Sequence, residues 1–339
     1  MADGASRVIS AMPRIYRPPR QSEPPPVVPR TLSRMRAAVI DMGTNSTRLL
    51  IADVAGGEIV ELERLITITR LGAHVDRDQR LAETSMGRTR KVVTDYVERA
   101  RSLNADVIFA SATSAVRDSN NGEAFMASLA RDLGIAARVL SGDEEARATF
   151  RGVTSAHPAS EPTAVIDVGG GSTEIVVGQG TQILGAVSLQ AGCVRATERW
   201  LSEDRVGPEQ MTIARQEIDL LLDRHLPPDL AKTVVGEPIA VAGTATTLAA
   251  LDLKLPGYDA ERIHGHRVDR DVVATWIAKL APLTAAERHS LYPAIESGRA
   301  ALIVGGAIVL LAALDALYAD GYVASERDIL HGLVLGLAS

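Results

Sequence analysis

The chain has 339 residues, 46% of them hydrophobic and only 3% aromatic, with a formal net charge of −6. That length suits two domains, that hydrophobic content excludes a disordered protein, and the scarcity of aromatics requires cores of Ala, Val, Leu and Ile. Residues 1–36 hold seven arginines against Asp3 and Glu23, a local +5 that leaves −11 on the rest, and an acidic body argues against a nucleic-acid partner.

Residues 1–36 are rich in Pro and Arg and lack an apolar run of signal-peptide length, so they read as a disordered N-terminal extension. A first unit, 37–158, follows. It reads as strand Ala37–Asp41, strand Arg48–Val54, a Gly56-Gly57 turn and strand Ile59–Thr67. Next come a helix over about Ser85–Leu103, a strand Asp106–Ser111 and a helix Asn121–Leu133 stopped by Gly134. Strand Ala136–Leu140 and a helix Asp143–Val153 capped by Ser141 complete the unit, and His157–Glu161 reads as a linker.

The second unit, 159–339, repeats the pattern: strand, glycine turn, strand, turn, strand Ile183–Leu189. A helix over Pro208–Leu226 and a strand Pro238–Val241 precede a Gly-Thr turn that opens a helix. The remainder reads as mostly helical, ending in a helix Asp328–Leu337 that is free to pack back on the first domain. The apolar run Ala300–Leu314 has 15 residues, whereas a membrane span needs about 20, so no membrane partner is expected. These apolar C-terminal helices are the candidate face for a homodimer. Cys193 is the single cysteine, which excludes an internal disulfide and suits a cytoplasmic protein. Strands alternating with helices make the class α/β.

One segment occurs twice. Ala38-Val-Ile-Asp41-Met-Gly-Thr-Asn-Ser-Thr47 returns, 126 residues on, as Ala164-Val-Ile-Asp167-Val-Gly-Gly-Gly-Ser-Thr173. Such a repeat marks a duplicated structural unit. In the first copy, Asn45 and Ser46 can present N–H and hydroxyl groups to a phosphate, with Arg48 adding charge; alone, the segment would equally be an Asx-capped hairpin turn. In the second copy, Gly169, Gly170 and Gly171 interrupt two strands, which points to close approach of a ligand, with Ser172 and Thr173 beside it. Asp41, Asp167 and Glu174 are the candidate metal ligands, and all-oxygen ligation favours Mg2+.

Three further segments carry a functional and a plain structural reading. Arg117 follows the hydroxyl-rich Ser111–Ser114 and suits either a phosphate cradle or a helix start. Asp143, Glu144 and Glu145 suit a helix dipole, or supply a general base with at most one or two of them facing inward. Gly243–Thr247 suits a nucleotide or anion, or close strand–helix packing. Arg195 is offered to phosphate, Cys193 reads as a packed residue, and His264-Gly-His266 reads as a loop rather than a zinc site.

Taken jointly, the blocks Ile40–Leu49, Ala112–Asp118, Ser141–Arg147, Ile166–Glu174, Val194-Arg195 and Gly243–Thr247 resemble the exopolyphosphatase / guanosine pentaphosphate phosphohydrolase family. The resemblance runs from about Arg36 to Leu337. It implies two ribonuclease-H-like domains of the actin, sugar kinase and heat-shock chaperone type around a central cleft. It implies Glu145 as the catalytic glutamate acting on water, with Asp41, Asp167 and Glu174 as acidic residues around Mg2+ and the water. Asn45, Ser46, Arg48, Arg117, Gly169, Gly170, Gly171, Ser172 and Thr173 match phosphate-contacting positions, and Arg299 an arginine facing the cleft. A monovalent cation is left open.

The implied substrate is inorganic polyphosphate, with guanosine pentaphosphate as the alternative and a link to the stringent response. A kinase of the same fold and a non-catalytic polyphosphate or alarmone sensor stand as rivals. The chain departs from the family at Gln190, often Pro, at Ala196, often Leu, and at Leu330-His331-Gly332, often Arg-Glu-Gly. It looks like the short two-domain form, expected to hold long polymers less processively.

Overall fold

The first hairpin sets the architecture through its side-chain alternation. Ala38, Ile40, Met42, Leu49 and Ile51 enter one buried cluster, while Ala37, Val39, Leu50 and Ala52 enter another. Both faces are apolar, so the sheet must be covered on both sides. The structure, a computed structural model, describes residues 14–16, 34–201 and 204–338.

Among the described residues twelve strands form two sheets. The first contains β1 (Arg14–Tyr16), β2 (Met35–Met42), β3 (Ser46–Ala55), β4 (Glu58–Ile68), β5 (Val107–Ala112) and β6 (Ala136–Val139), in the order β1-β4-β3-β2-β5-β6. The second contains β7 (Thr163–Val168), β8 (Thr173–Gln179), β9 (Gln182–Leu189), β10 (Ile239–Val241), β11 (Arg267–Asp269) and β12 (Gly321–Ala324), in the order β11-β12-β10-β7-β8-β9. Each sheet repeats one plan: an antiparallel three-strand meander whose first strand has a parallel strand on its other side. This is the duplicated ribonuclease-H-like arrangement implied by the sequence.

Helices Glu83–Ser102 and Gly122–Leu133 cover one face of the first sheet through Val93, Tyr96, Val97, Phe125, Met126 and Leu129. The larger second core gathers Ala164, Ile166, Ile175 and Val177 with helices Pro208–His225, Ala242–Asp252, Arg270–Leu280 and Ile303–Ala316. The remaining faces are covered by exchange. Helix Gly142–Thr154 sets Ala146, Phe150 and Val153 on Val165, Val176, Ile239 and Val241 of the second sheet. Helix Ile329–Leu337 sets Leu330 and Val334 on Val39 and Leu50 of the first.

The two exchanged helices cross at Gly152 and Gly332. A Cβ on Gly332 would overlap the carbonyl oxygen of Ala148, and one on Gly152 that of Asp328. Glycine is required here by close approach of the two backbones.

The structure differs from the sequence reading in four places. The segment read as a disordered extension contributes β1, paired antiparallel with β4, and the start of β2; the rest of 1–33 lies outside the described residues. Helix Gly142–Thr154, placed with the first unit, packs on the second sheet, because its apolar stripe matches Val165 and Val176. The stretch read as mostly helical contains β11 and β12, of three and four residues, too short to show alternation. The apolar helix Ile303–Ala316, read as part of a candidate face for a second copy, is buried inside the chain. Among the described residues no helix is long and apolar enough to cross a membrane.

Candidate active site

Both hairpin turns and the starts of both exchanged helices meet at one cleft open to solvent. Its wall includes Asp41, Asn45, Ser46, Arg48, Glu145, Asp167, Gly169, Gly170, Ser172 and Arg299. Strand register explains the placement: Asp41 pairs with Arg48, and Asp167 with Glu174, so each pair shares the cleft face of its sheet.

The half around the second sheet is a cluster of buried carboxylates. Ser141 accepts from the Glu144 N–H, and the Glu144 side chain accepts from the Ser141 N–H. This capping box fixes the helix start. Glu144 and Asp143 are thereby spent outward, on Arg138 and Arg147, and Glu145 alone of the three is buried. Arg117 Nη1 donates to the Leu140 carbonyl at 2.9 Å and to Glu145 Oε2 at 3.3 Å. Ser188 Oγ donates to Glu174 Oε1 at 2.7 Å, and Thr149 Oγ1 to Asp167 Oδ2 at 3.3 Å.

Burial, then the charges of Glu174 and Asp167, push the Glu145 carboxyl well above its usual range, with Arg117 opposing. Burial and Asp167 raise Glu174 to about 7. Burial raises Asp167 to about 6 against the pull of Arg48, with Asp328 and Asp41 adding to the rise.

The half around the first sheet is electrostatically paired. Arg48 donates to Asp41 Oδ2 at 2.6 Å and to Asp328 Oδ2 at 2.8 Å. Ser111 Oγ donates to the other Asp41 oxygen at 3.1 Å. Asp328 caps helix Ile329–Leu337 and also takes Arg64 at 3.1 Å. Despite burial, Arg48 and Arg64 hold the Asp328 carboxyl far below the usual carboxylate range. At the departure from the family's last-helix pattern, Leu330 is a core residue, and His331 bridges Asp328, at 3.2 Å, and Glu61, at 2.9 Å.

Several sequence candidates play other parts. A Cβ on Gly170 would overlap Thr44, and one on Gly171 would overlap Ser114 and Thr44. These two glycines therefore let the two turns touch, and Gly170 also lines the cleft. Thr173 Oγ1 is buried and donates to the Ala191 carbonyl at 2.6 Å. Arg195 is tied to Asp118 at 2.8 Å, to Asp76 at 3.1 Å and to Gln190, so it joins the two halves and is not free for phosphate. Cys193 lines the cleft, and burial pushes its thiol up to about 11, which makes it inert. His266 pairs with Asp252 at 2.7 Å.

Four buried polar atoms in and beside this cleft lack a partner: Glu174 Oε2, Arg117 Nη2, Arg299 Nη1 and Arg64 Nε. Buried groups are normally satisfied by protein, water or ligand, so three cationic donors and one carboxylate oxygen are available here to a ligand. Sequence reasoning missed Arg64, Asp328 and Tyr258. No motif marks them, and only the fold brings them to the cleft. Among the described residues no group of three His, Cys, Asp or Glu is arranged to hold a metal ion by itself. Mg2+ commonly takes only one or two carboxylates and completes its shell with water and phosphate oxygens. The orphaned Glu174 oxygen and the weakly bonded Asp167 suit that role, whereas both Asp41 oxygens are already engaged.

Two ribonuclease-H-like units facing a cleft of buried carboxylates and unmet guanidinium donors define a phosphate-handling protein. The sequence model of the Ppx/GppA phosphatase family matches residues 29–339, and the chain belongs to that family. It is 41% identical over 320 residues to exopolyphosphatase 2 of Mycobacterium tuberculosis, covering 89% of this chain and 98% of that one. It is 29% identical to exopolyphosphatase 1 of the same organism, over 89% and 88% of the two chains. Among solved structures, an exopolyphosphatase-like protein superposes with a TM-score of 0.84 at 34% identity, over 90% of this chain and 98% of that one. The Ppx/GppA enzyme of Aquifex aeolicus gives 0.77 at 28% identity, over 90% and 100%.

Proposed function

We infer that the protein is an exopolyphosphatase that releases terminal orthophosphate from inorganic polyphosphate. The observation that carries this reading is Glu145: a buried carboxylate in the cleft wall, held by Arg117 and facing the phosphate turns. Ionised Glu145 accepts a proton from a water molecule. The water oxygen bonds to the terminal phosphorus as the bridging P–O bond breaks in line, and the shortened chain leaves with the electron pair. Arg117, bonded to Glu145 at 3.3 Å, favours its ionised form against burial and the charges of Glu174 and Asp167. Asn45, Ser46 and Ser172 line the cleft where the terminal phosphoryl oxygens are held, and the unmet Nη2 of Arg117 supplies a charged donor.

Glu174 and Asp167 are the residues that would hold Mg2+, which when bound offsets charge on the phosphate oxygens. The single cysteine and the acidic body support a cytoplasmic setting.

A second substrate, guanosine pentaphosphate, is favoured by one feature. Tyr258, Leu302 and Ile303 make part of the wall apolar beside Thr244 and Thr246, as a nucleoside would require. Phosphate release by the purified protein from short polyphosphate, long polyphosphate and guanosine pentaphosphate separates the readings. Release from polyphosphate that is lost in Glu145→Gln supports the main one. Release from the nucleotide alone assigns the alarmone. Binding without release makes the protein a sensor, and acceptor-dependent ATP consumption makes it a kinase.

A further inference from the structure

Arg64 belongs to none of the sequence motifs, yet it lies in the cleft wall. It stands on β4 directly across from Leu50, while its neighbour on the same face, Ile66, stands across from Arg48. Both terminal nitrogens are clamped: Nη1 donates to Glu326 Oε2 at 2.8 Å and Nη2 to Asp328 Oδ2 at 3.1 Å. Glu326 is itself held by the Tyr258 hydroxyl, and Asp328 by Arg48 and the helix it caps. The fork is therefore fixed in orientation, and its remaining donor, Nε–H, is buried without an acceptor. Arg299 presents a second unmet donor, Nη1, with its guanidinium against the backbone of Gly243 and 5.9 Å from the centre of the Tyr258 ring. Charged, buried and unpaired donors are unfavourable unless a ligand completes them.

We propose that Arg64, together with Arg299 and linked to it through Glu326 and Tyr258, binds a non-terminal phosphate of the substrate chain. Glu326 and Asp328 are the positioning residues that aim Arg64. This rests on the exopolyphosphatase reading and adds to it a determinant of chain affinity. Arg64 bonds to Glu326 and Asp328, whereas Glu145 bonds to Arg117, so the residue that grips the chain is separate from the residue that acts on water. It therefore governs how tightly the polymer is held more than how fast its end is cut.

The test compares Arg64→Gln and Arg64→Lys with the wild-type full chain in Mg2+, using polyphosphate of defined length. A charge-assisted hydrogen bond made equally in ground and transition states predicts a KM raised about tenfold or more, with kcat within about twofold. Lysine keeps the charge but loses the fork and the Nε donor, so it should rescue little. It also keeps a cation between Glu326 and Asp328 and carries the test should Arg64→Gln not fold. Unchanged KM, or a fall in kcat at constant KM, overturns the proposal. Should the wild type release no phosphate from polyphosphate, the activity reading fails separately. Arg64 is then judged by equilibrium binding of the same polyphosphate. Binding about tenfold weaker in Arg64→Lys sustains the role, and equal binding, or none by the wild type, overturns it.

Discussion

Arg48 and Glu174 occupy the same position of the two hairpins, 126 residues apart, one opposite Asp41 and the other opposite Asp167. The duplication thus places opposite charges at equivalent points. In the first half the arginine is bound on both sides, by Asp41 and by Asp328 at the start of an exchanged helix. In the second half the glutamate faces Asp167 and Glu145, the latter at the start of the other exchanged helix, and the three repel. One half is locked by attraction. The other is held in tension that a proton or a cation can relieve.

Glu145→Gln should lower kcat for phosphate release by about 10²–10⁴. The same change removes a buried carboxylate from a repelling cluster, so the thermal midpoint should stay level or rise. A variant with near-normal turnover would remove Glu145 from its role.

Stability should depend on pH through the same cluster. Glu174 and Asp167, at about 7 and about 6, bind protons more tightly in the folded chain than unfolded carboxylates, which titrate near about 4. The folded state therefore carries more protons between those limits, and its stability falls as pH rises through that window. Urea midpoints of chelator-treated protein should be higher at about pH 5 than at about pH 8 on this account. Glu174→Gln should shrink the difference. Glu61, held at about 2 with His331 as the foremost partner opposing burial, acts in the opposite sense, losing its contribution only as pH falls below the carboxylate range.

Arg48→Gln strands Asp41 as a buried carboxylate with no cationic partner and leaves Asp328 to Arg64 and His331. Removing one partner of a buried pair typically costs about 3–5 kcal/mol, readable as a lower urea midpoint at unchanged slope. A loss of activity with full stability would instead place Arg48 on the substrate alone.

Gly332→Ala should destabilise by about 1–3 kcal/mol or more, because the new methyl meets the Ala148 carbonyl and forces the crossing helices apart. Gly87→Ala, in helix Glu83–Ser102 with open space around it, is the control and should be neutral or slightly stabilising. Thermal unfolding of both variants decides between packing at the crossing and a general intolerance of alanine.

Mg2+ should raise the thermal midpoint of the wild type, since binding to the folded state stabilises by mass action, and raise that of Glu174→Gln much less. An equal rise in both would move the ion to other residues.

Strand alternation, the Gly56-Gly57 turn and the 126-residue repeat were sufficient by themselves to establish two α/β units and the placement of Asp41, Arg48, Asp167 and Glu174 on hairpins, because these features are local. The helix start at Ser141 and its three acids were likewise legible locally, while the choice of Glu145 among them came from the family resemblance. What only the tertiary structure decided is the partner of each group. Which sheet helix Gly142–Thr154 covers, why Gly170 and Gly171 are glycines, and where Arg64 and Asp328 meet depend on surfaces far apart in the chain. Arg64 and Asp328 are 264 residues apart, and no local propensity carries information across such a distance. Burial creates the long-range ion pairs and the raised carboxylates together, by taking charges out of water and leaving each other as their nearest partners.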